Sequence, residues 1–293
     1  MGLSEKAMLV KLSISQWTAR KHDKGISAQV EREHQAHDAG RYNKNLIAKA
    51  ALETIQTAAG AARTFHYANT RPWEDEGSRI LPASNYLPYT QEMRKLQAIF
   101  DTEVSRFLAS YDSYVDQARI RLNGMFNAKD YPRADQITNA FKFSVDVSPL
   151  PEAADFRVSI GDAEAARIRA DIQARNDAAH AAGDRDLWNR LHTAVSHVAE
   201  KLGDPEAIFR DSLIENVREL CDLLPRLNVT GDPELDRLAR EANSKLTAAG
   251  PKWLRESPDK RAQTAQEARA ILDAMAAYCG PMPTAAPASP PTA

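Results

Sequence analysis

The sequence feature that most constrains the fold is an apolar stripe within residues 90–122. Its members recur at steps of three and four residues: Met93, Leu96, Phe100, Val104, Phe107, Tyr111, Val115, Ala118 and Leu122. The pattern repeats every eleven residues, about 3.67 residues per turn, so the stripe stays nearly straight along a helix. We therefore expect one long helix over residues 90–122, about 50 Å in length at a rise of about 1.5 Å per residue.

Short stretches of the N-terminal half alternate apolar and polar residues, which is typical of half-buried strands. Such stretches occur at residues 8–18, at FKFSVDV (141–147) and at FRVSIG (156–161). A further strand is expected from Arg79 to Leu81, inside the loop 70–89, which is rich in proline and aromatic residues. With two predicted helices at 26–37 and 45–66, these elements indicate a small sheet beside the long helix.

The second half of the chain has a helical pattern throughout. A helix is predicted over 162–182, and we expect Gly183 to interrupt it before a second helix over 185–202. Asp204-Pro205, Asp232-Pro233 and Ser257-Pro258 each place a capping side chain before a proline suited to the first helical position. They predict helices over 205–227, 233–248 and 258–279.

These patterns define a fold class and a domain organisation. We predict a mainly α protein, with an α+β N-terminal half that holds a small sheet and one long helix, followed by an antiparallel helical bundle. The predicted domains are 1–160 and 161–280. A disordered tail rich in proline and alanine is expected over 281–293, because its composition cannot bury apolar surface.

Composition and motifs argue against several functional classes. The net charge is −2, from 38 basic and 40 acidic residues, so the chain as a whole has no nucleic-acid signature. Cys221 and Cys279 lie in apolar helical patterns and are expected to be buried, reduced thiols. No phosphate-binding loop or GxSxG motif is present. We therefore expect no enzymatic activity and no cofactor. Because no segment reads as a signal peptide or membrane span, we expect a cytoplasmic protein with no membrane partner.

One pair of histidines raises a metal hypothesis. His34 and His37 are three residues apart in a predicted helix, with Glu31 one turn earlier. On one helix face they would offer imidazole and carboxylate ligands to a divalent cation. The alternative is a solvated polar face near the end of a helix, which we favour. His192 and His197, five residues apart, do not share a helix face and are rejected as a pair.

Residues 20–49 contain an excess of basic over acidic side chains, with aromatic residues alongside. Basic groups neutralise a nucleic-acid backbone, and aromatic rings stack on bases. This stretch, Trp17 just before it and the aromatic loop 70–89 supply the candidate contact residues for a protein or nucleic-acid partner: Trp17, Arg20, Lys21, Lys24, Arg41, Lys44 and Trp73.

The opening LVKLSISQWTARKHDKG resembles the start of a family of uncharacterised phage, plasmid and integrative-element proteins. The matching residues are Leu12, Ile14, Trp17, Ala19, Arg20 and Lys21, whereas Thr18 replaces a serine of the family pattern. Phe107 and Tyr111-Asp112 match a Phe-x3-Tyr-Asp element, and FKFSVDV resembles a Phe-rich strand. The resemblance covers residues 8–160. Such genes often lie beside a MoxR-type AAA+ ATPase and a von Willebrand-type protein, so the resemblance implies a partner in that system.

Two main functional hypotheses follow. The first is a non-enzymatic adaptor or structural protein of a phage or mobile element that works with an AAA+ ATPase. The alternative is a single-stranded nucleic-acid-binding accessory protein in phage replication or recombination. A third hypothesis is a metal-dependent enzyme that uses His34 and His37.

Overall fold

The computed structural model describes residues 3–73, 77–152 and 162–278. It confirms the predicted fold class: the protein is mainly α, with a small antiparallel sheet in its N-terminal half and helices in its second half. The strands are β1 (Ala7–Ser15), β2 (Arg20–His22), β3 (Asn43–Asn45), β4 (Arg71–Pro72), β5 (Ser78–Pro82) and β6 (Lys142–Pro149). The α-helices are α1 (Leu3–Lys6), α2 (Lys24–Glu33), α3 (Ala50–Ala68), α4 (Tyr86–Ala109), α5 (Tyr111–Leu122), α6 (Ala134–Thr138), α7 (Asp162–Gly203), α8 (Ser212–Leu227), α9 (Pro233–Leu246), α10 (Pro251–Glu256) and α11 (Pro258–Met275).

The strands form a four-stranded sheet in the order β4-β5-β1-β6 and a separate two-stranded ribbon of β2 and β3. The strands predicted at 8–18, 79–81 and 141–147 are confirmed as β1, β5 and β6. The strand predicted in FRVSIG lies outside the described residues.

The chain divides into two compact units, and neither is continuous in sequence. The helical unit comprises Met1–Leu9, Asn69–Tyr86 and Ser148–Ala293, and the mixed unit comprises Val10–Ala68 and Leu87–Val147. The sequence predicted one domain limit at residues 160–161 and another at residues 280–281. Both lie outside the described residues.

The mixed unit is built around the apolar stripe. Its core is formed by residues of α3, α4 and α5 and of the segments that flank them: Leu46, Leu52, Ile55, Ala59, Phe100, Phe107, Tyr111, Ile137 and Phe141. The stripe therefore faces the core, but the prediction of one continuous helix over 90–122 is wrong. The helix breaks at Ser110, whose ψ of 3° leaves the helical range. Its N–H bonds to the carbonyl of Phe107, three residues back, at 3.1 Å. The break keeps the spacing of the stripe, so periodicity alone does not reveal it.

The helical unit contains a bundle in which α7 packs against α8 and α11, and α9 packs against α8 and α11. Its core includes Leu187, Leu191, Val198, Ile214, Leu224, Leu238, Leu246 and Ile271. No helix of the described part of the chain is both long and apolar enough to span a bilayer.

Helix α7 runs without interruption through Gly183, so the predicted break there is wrong. Gly183 is buried because the guanidinium of Arg71 occupies the space that a side chain would fill. Arg71 is 1% exposed and forms an ion pair with Asp184 at 2.6 Å. It also donates to the carbonyls of His180 and Leu227 at 3.3 and 3.4 Å. The glycine therefore marks a close approach of a side chain to the helix, and the helical pattern continues through it.

The helix predicted from Pro205 begins only at Ser212. Asp204 accepts the N–H of Glu206, as a cap does, but no helix follows. The guanidinium of Arg261 instead binds carbonyls at the end of α7 and in the next loop: those of Lys201, Leu202, Asp204 and Ala207. These bonds hold the loop open, since a helix would use its carbonyls internally. The starts at Pro233 and Pro258 are confirmed, with Asp232 and Ser257 as caps.

Candidate functional site

The β2–β3 ribbon positions the basic residues that the sequence singled out. Its strands are antiparallel, with Arg20 opposite Asn45, Lys21 opposite Lys44 and His22 opposite Asn43. Side chains alternate along a strand, and directly opposed residues share one side of the pair. Lys21 therefore lies on the same side of the ribbon as Lys44, and Arg20 lies on the other side. Arg20 and Lys21 therefore cannot both face the same partner surface.

Lys44 is an internal ion-pair residue, and this corrects its assignment as a contact residue. Its ammonium lies 2.8 Å from Asp130 and 3.4 Å from Asp23, and it donates to the carbonyl of Met125 at 2.8 Å. Only 4% of the residue is exposed. Burial disfavours the charge, but Asp130 and Asp23 outweigh it and raise the pKa of Lys44. The ammonium of Lys44 is paired inside the mixed unit, and its bonds to Met125 and Asp130 link the ribbon to the segment that follows α5.

Lys24 and Arg41 are exposed, but they lie in a segment without excess charge. Lys24 begins α2, where Asp23 caps the helix by accepting the N–H of Ile26 at 3.2 Å. That bond, followed by the ion pair with Lys44, keeps the pKa of Asp23 below its usual value. Between residues 24 and 42 the three basic residues, at 24, 32 and 41, are matched by three acidic ones, at 31, 33 and 38.

Trp17 and Trp73, the two tryptophans among the candidate contact residues, each pack against side chains of the unit to which they belong. Trp17 is half-buried in the mixed unit, with ring centroids 6.2 Å from Phe107 and 5.9 Å from Tyr111. Trp73 belongs to the helical unit, where it packs against a small cluster that contains Ile80 and Leu150. Both rings are partly buried and pack against residues of the unit to which they belong.

The structure brings further basic residues to the ribbon that the sequence did not indicate. Arg121 donates to the carbonyls of Asn45 and Leu46 at 2.9 and 3.2 Å. The guanidinium of Arg119 lies over the ring of Phe126, 5.3 Å from its centroid, and Phe126 in turn stacks on Tyr131 at 5.1 Å. These residues are about 75 positions from the ribbon in sequence. No local pattern signals their proximity.

The metal hypothesis loses its geometric basis. Helix α2 ends at Glu33, His34 is its C-cap, and Gln35 has a φ of 48°. His34 and His37 therefore do not share a helix face. Among the residues that the structure describes, no three or more His, Cys, Asp and Glu side chains are grouped so that they could hold a metal ion.

Cys221 is confirmed as a buried free thiol in the core of the helical unit. Burial raises its pKa to about 12, with a further contribution from Asp222. A thiol held neutral in this way is a poor nucleophile and a poor metal ligand. Cys279 lies outside the described residues.

Each unit has an open groove between two helices. In the helical unit, α7 and α8 enclose about 480 Å³. Its apolar floor is formed by Ala194, Leu213, Val217 and Leu220, and its polar rim by Asn189, Arg190, Thr193, His197 and Asn216. In the mixed unit, a groove of about 410 Å³ between α3 and α4 has Ala58, Ala61, Leu96 and Ile99 on its apolar side.

The α7–α8 groove has a rim with little net charge. Among the described residues of the rim, Arg190 alone has a permanent charge, and it is ion-paired with Asp186 at 2.8 Å and donates to the carbonyl of Thr70. Asn189, Thr193 and His197 are spaced four residues apart on α7, so the wall extends over two helical turns, about 12 Å. An apolar floor between two helical walls can accept the apolar face of a third helix.

Comparison of the chain with family models, with curated proteins and with solved structures gave no match.

Proposed function

We propose that this protein is a non-enzymatic adaptor and that the α7–α8 groove is its docking site for a helix of a partner protein. The observation that carries the proposal is the groove itself, which combines an apolar floor with a rim whose one permanent charge is already paired. Polar rims around apolar floors are typical of protein-binding sites. The partner segment is an amphipathic helix of about two turns with a neutral polar face, because the rim offers amide and hydroxyl groups.

The chemistry of the reactive side chains agrees with a binding role. Cys221 is buried and neutral, and Lys44 is held in an internal ion pair. His66 and Tyr89 are buried together and hydrogen-bonded at 2.7 Å. Each of these groups is used to stabilise the fold and lacks the access to substrate that a catalytic group needs.

The resemblance of residues 8–160 supplies the partner class to test first, a MoxR-type AAA+ ATPase. The groove lies outside those residues and is argued from its own geometry. An adaptor of a phage or mobile element that presents a client or a second subunit to such an ATPase would need a docking site of this kind.

The test uses the full chain and a purified ATPase of that class, with binding measured by isothermal titration calorimetry. Thr193→Arg places a long cation on the exposed rim of the groove and is expected to weaken binding at least tenfold, about 1.4 kcal/mol. Ala174→Arg changes an exposed position of the same helix outside the groove and serves as the matched control. If the wild-type chain shows no binding, the proposed partner is wrong. If both variants bind like the wild type, the groove assignment is wrong.

A further inference from the structure

The mixed unit is basic although the whole chain is slightly acidic. Residues Val10–Ala68 and Leu87–Val147 hold 17 lysines and arginines against 13 aspartates and glutamates, a net charge of +4, whereas the full chain has −2. The helical unit therefore has a net charge of −6. A charge difference of this size between two units of one chain is invisible in the overall composition. It gives the mixed unit its own electrostatic preference for anions.

Part of this positive charge lies where the ribbon meets the segment after α5. Lys44 reaches the carbonyl of Met125 and the carboxylate of Asp130 from one side of the ribbon. Lys21, its cross-strand neighbour, is exposed on that same side. The hydroxyl of Tyr131 donates to the carbonyl of Leu46 at 2.7 Å, which fixes the segment at the end of the ribbon.

Four exposed cations flank this junction, and we call them the basic surface: Lys21, Arg119, Arg121 and Lys129. Lys21 is opposite Lys44 in the ribbon, Arg119 contacts Phe126, Arg121 binds the carbonyls of Asn45 and Leu46, and Lys129 precedes Asp130, which pairs with Lys44. Asp23 and Asp130, which lie against it, are ion-paired with Lys44. Asp116, one turn before Arg119 on α5, is the nearest exposed carboxylate along that helix. The basic surface therefore retains a net positive charge after its neighbouring carboxylates are counted.

The basic surface also contains a stacking group. Tyr131, Phe126 and the guanidinium of Arg119 are held together by ring and cation–π contacts at 5.1 and 5.3 Å. Phe126 and Tyr131 are partly exposed, and Arg119 is exposed. A planar guanidinium supported by an aromatic ring is a platform on which an unpaired base stacks.

We infer that the basic surface binds single-stranded nucleic acid: Lys21, Arg121 and Lys129 contact the phosphates, and a base stacks on the guanidinium of Arg119, which the ring of Phe126 supports. The combination selects a single strand, because the bases of a duplex are stacked on each other and cannot reach the platform. This site is separate from the α7–α8 groove, and it replaces most of the contact residues predicted from sequence. Arg20 lies on the other side of the ribbon, Lys44 is internal, and only Lys21 is retained.

The inference is tested by fluorescence anisotropy of a labelled 20-nucleotide oligothymidylate titrated with the full chain over a salt series. Each phosphate contact to a single strand contributes about 0.7 to the slope of log K against log salt. Lys21→Ala combined with Lys129→Ala is therefore expected to lower the slope by about 1.4 and to weaken binding roughly 20-fold at about 0.1 M salt. Arg119→Ala is expected to weaken binding and to leave a smaller preference for the single strand over a duplex of the same length.

Arg20→Ala is the matched control, since it removes the same charge one residue away on the opposite side of the ribbon. It is expected to change the affinity much less than the variant that combines Lys21→Ala with Lys129→Ala, because its side chain lies on the other side of the ribbon and makes none of the proposed phosphate contacts. The altered residues are all exposed, so far-ultraviolet circular dichroism of each variant should match the wild type. Absence of binding by the wild type at low salt would overturn the inference. So would a loss in Arg20→Ala as large as that in the variant that combines Lys21→Ala with Lys129→Ala, or equal affinity for the duplex and the single strand.

Discussion

Replacement of Gly183 by alanine tests the most specific packing feature of the helical unit. A Cβ at this position would lie 2.7 Å from Cζ of Arg71, well inside van der Waals contact. Arg71 is buried and is held by Asp184 and two backbone carbonyls, so it cannot move aside without losing those bonds. The substitution therefore has two opposing effects on stability: alanine has the higher helix propensity, but its Cβ disrupts the buried ion pair of Arg71 and Asp184.

The magnitude follows from these two opposing effects. Breaking a buried ion pair costs about 3–5 kcal/mol, and we take the lower end because Asp184 is 37% exposed. Alanine in place of glycine inside a helix returns about 1 kcal/mol. Gly183→Ala should therefore lower the free energy of unfolding by about 2 kcal/mol.

The assay is urea denaturation followed by circular dichroism at 222 nm. Gly60→Ala is the control: it lies within α3, an added Cβ meets no atom within 4 Å, and it should stabilise by about 0.5–1 kcal/mol. In an Arg71→Ala background the cost of Gly183→Ala should disappear, because the clashing side chain is gone. A Gly183→Ala protein as stable as the wild type, or a cost that persists without Arg71, would refute the reasoning.

Three further predictions concern buried or capping groups. Lys44→Ala should lower the free energy of unfolding by about 2–3 kcal/mol in urea denaturation, because it leaves Asp130 without its cation; a loss under about 0.5 kcal/mol would contradict the internal role. The pKa of Asp23 is lowered on folding, so its carboxylate stabilises the protein above its unfolded pKa near 3.8 and that contribution is lost as the pH falls through its lower folded value. The urea midpoints of the wild type and Asp23→Asn should therefore differ by a constant amount above about pH 5 and converge in more acidic solution. A difference that does not change with pH would show that the charge of Asp23 does not contribute to stability. In a Cys279→Ser protein, Cys221 should not react with Ellman's reagent at pH 8 until denaturant is added, since burial raises its pKa to about 12. Rapid reaction of the native protein would show that the thiol is accessible.

Features set by local periodicity could be predicted from the sequence. The apolar stripe, the strands at 79–81 and 141–147 and the capped starts at Pro233 and Pro258 all depend on residues within one or two turns of each other. These patterns give the fold class because burial of an apolar face is the main determinant of each element.

Two of the errors, at Gly183 and at Asp204-Pro205, arose where a distant side chain overrides a local signal. Gly183 predicted a helix break from the sequence. In the structure, the side chain of Arg71, 112 positions earlier, occupies the space beside Gly183 that a Cβ would need, and the helix continues. Asp204-Pro205 reads as a helix start, but Arg261 binds the carbonyls of that loop. Arginine can act over such separations because its five donors bind several carbonyls at once. Composition and spacing contain no record of these contacts.

The assignment of Lys44 as a contact residue is wrong for the same reason. A lysine in a basic stretch reads as exposed, yet Lys44 is buried between Asp23 and Asp130. No local pattern singles out Arg119 and Arg121, but Arg121 binds a carbonyl of the ribbon and Arg119 contacts Phe126 in the segment that follows α5. Which cations share a surface depends on strand register and on contacts between distant segments, and neither can be derived from a charge count.

The central claim, that the α7–α8 groove receives a partner helix, is tested most directly by methyl-resolved NMR of the full chain titrated with a purified MoxR-type ATPase. The claim predicts shifts of the methyl signals of Leu213, Val217 and Leu220, which line the groove, and unchanged signals for Leu238 and Ile271 in the bundle core. Binding that leaves the groove methyl groups unshifted, or a spectrum that does not respond to the ATPase at all, would contradict it.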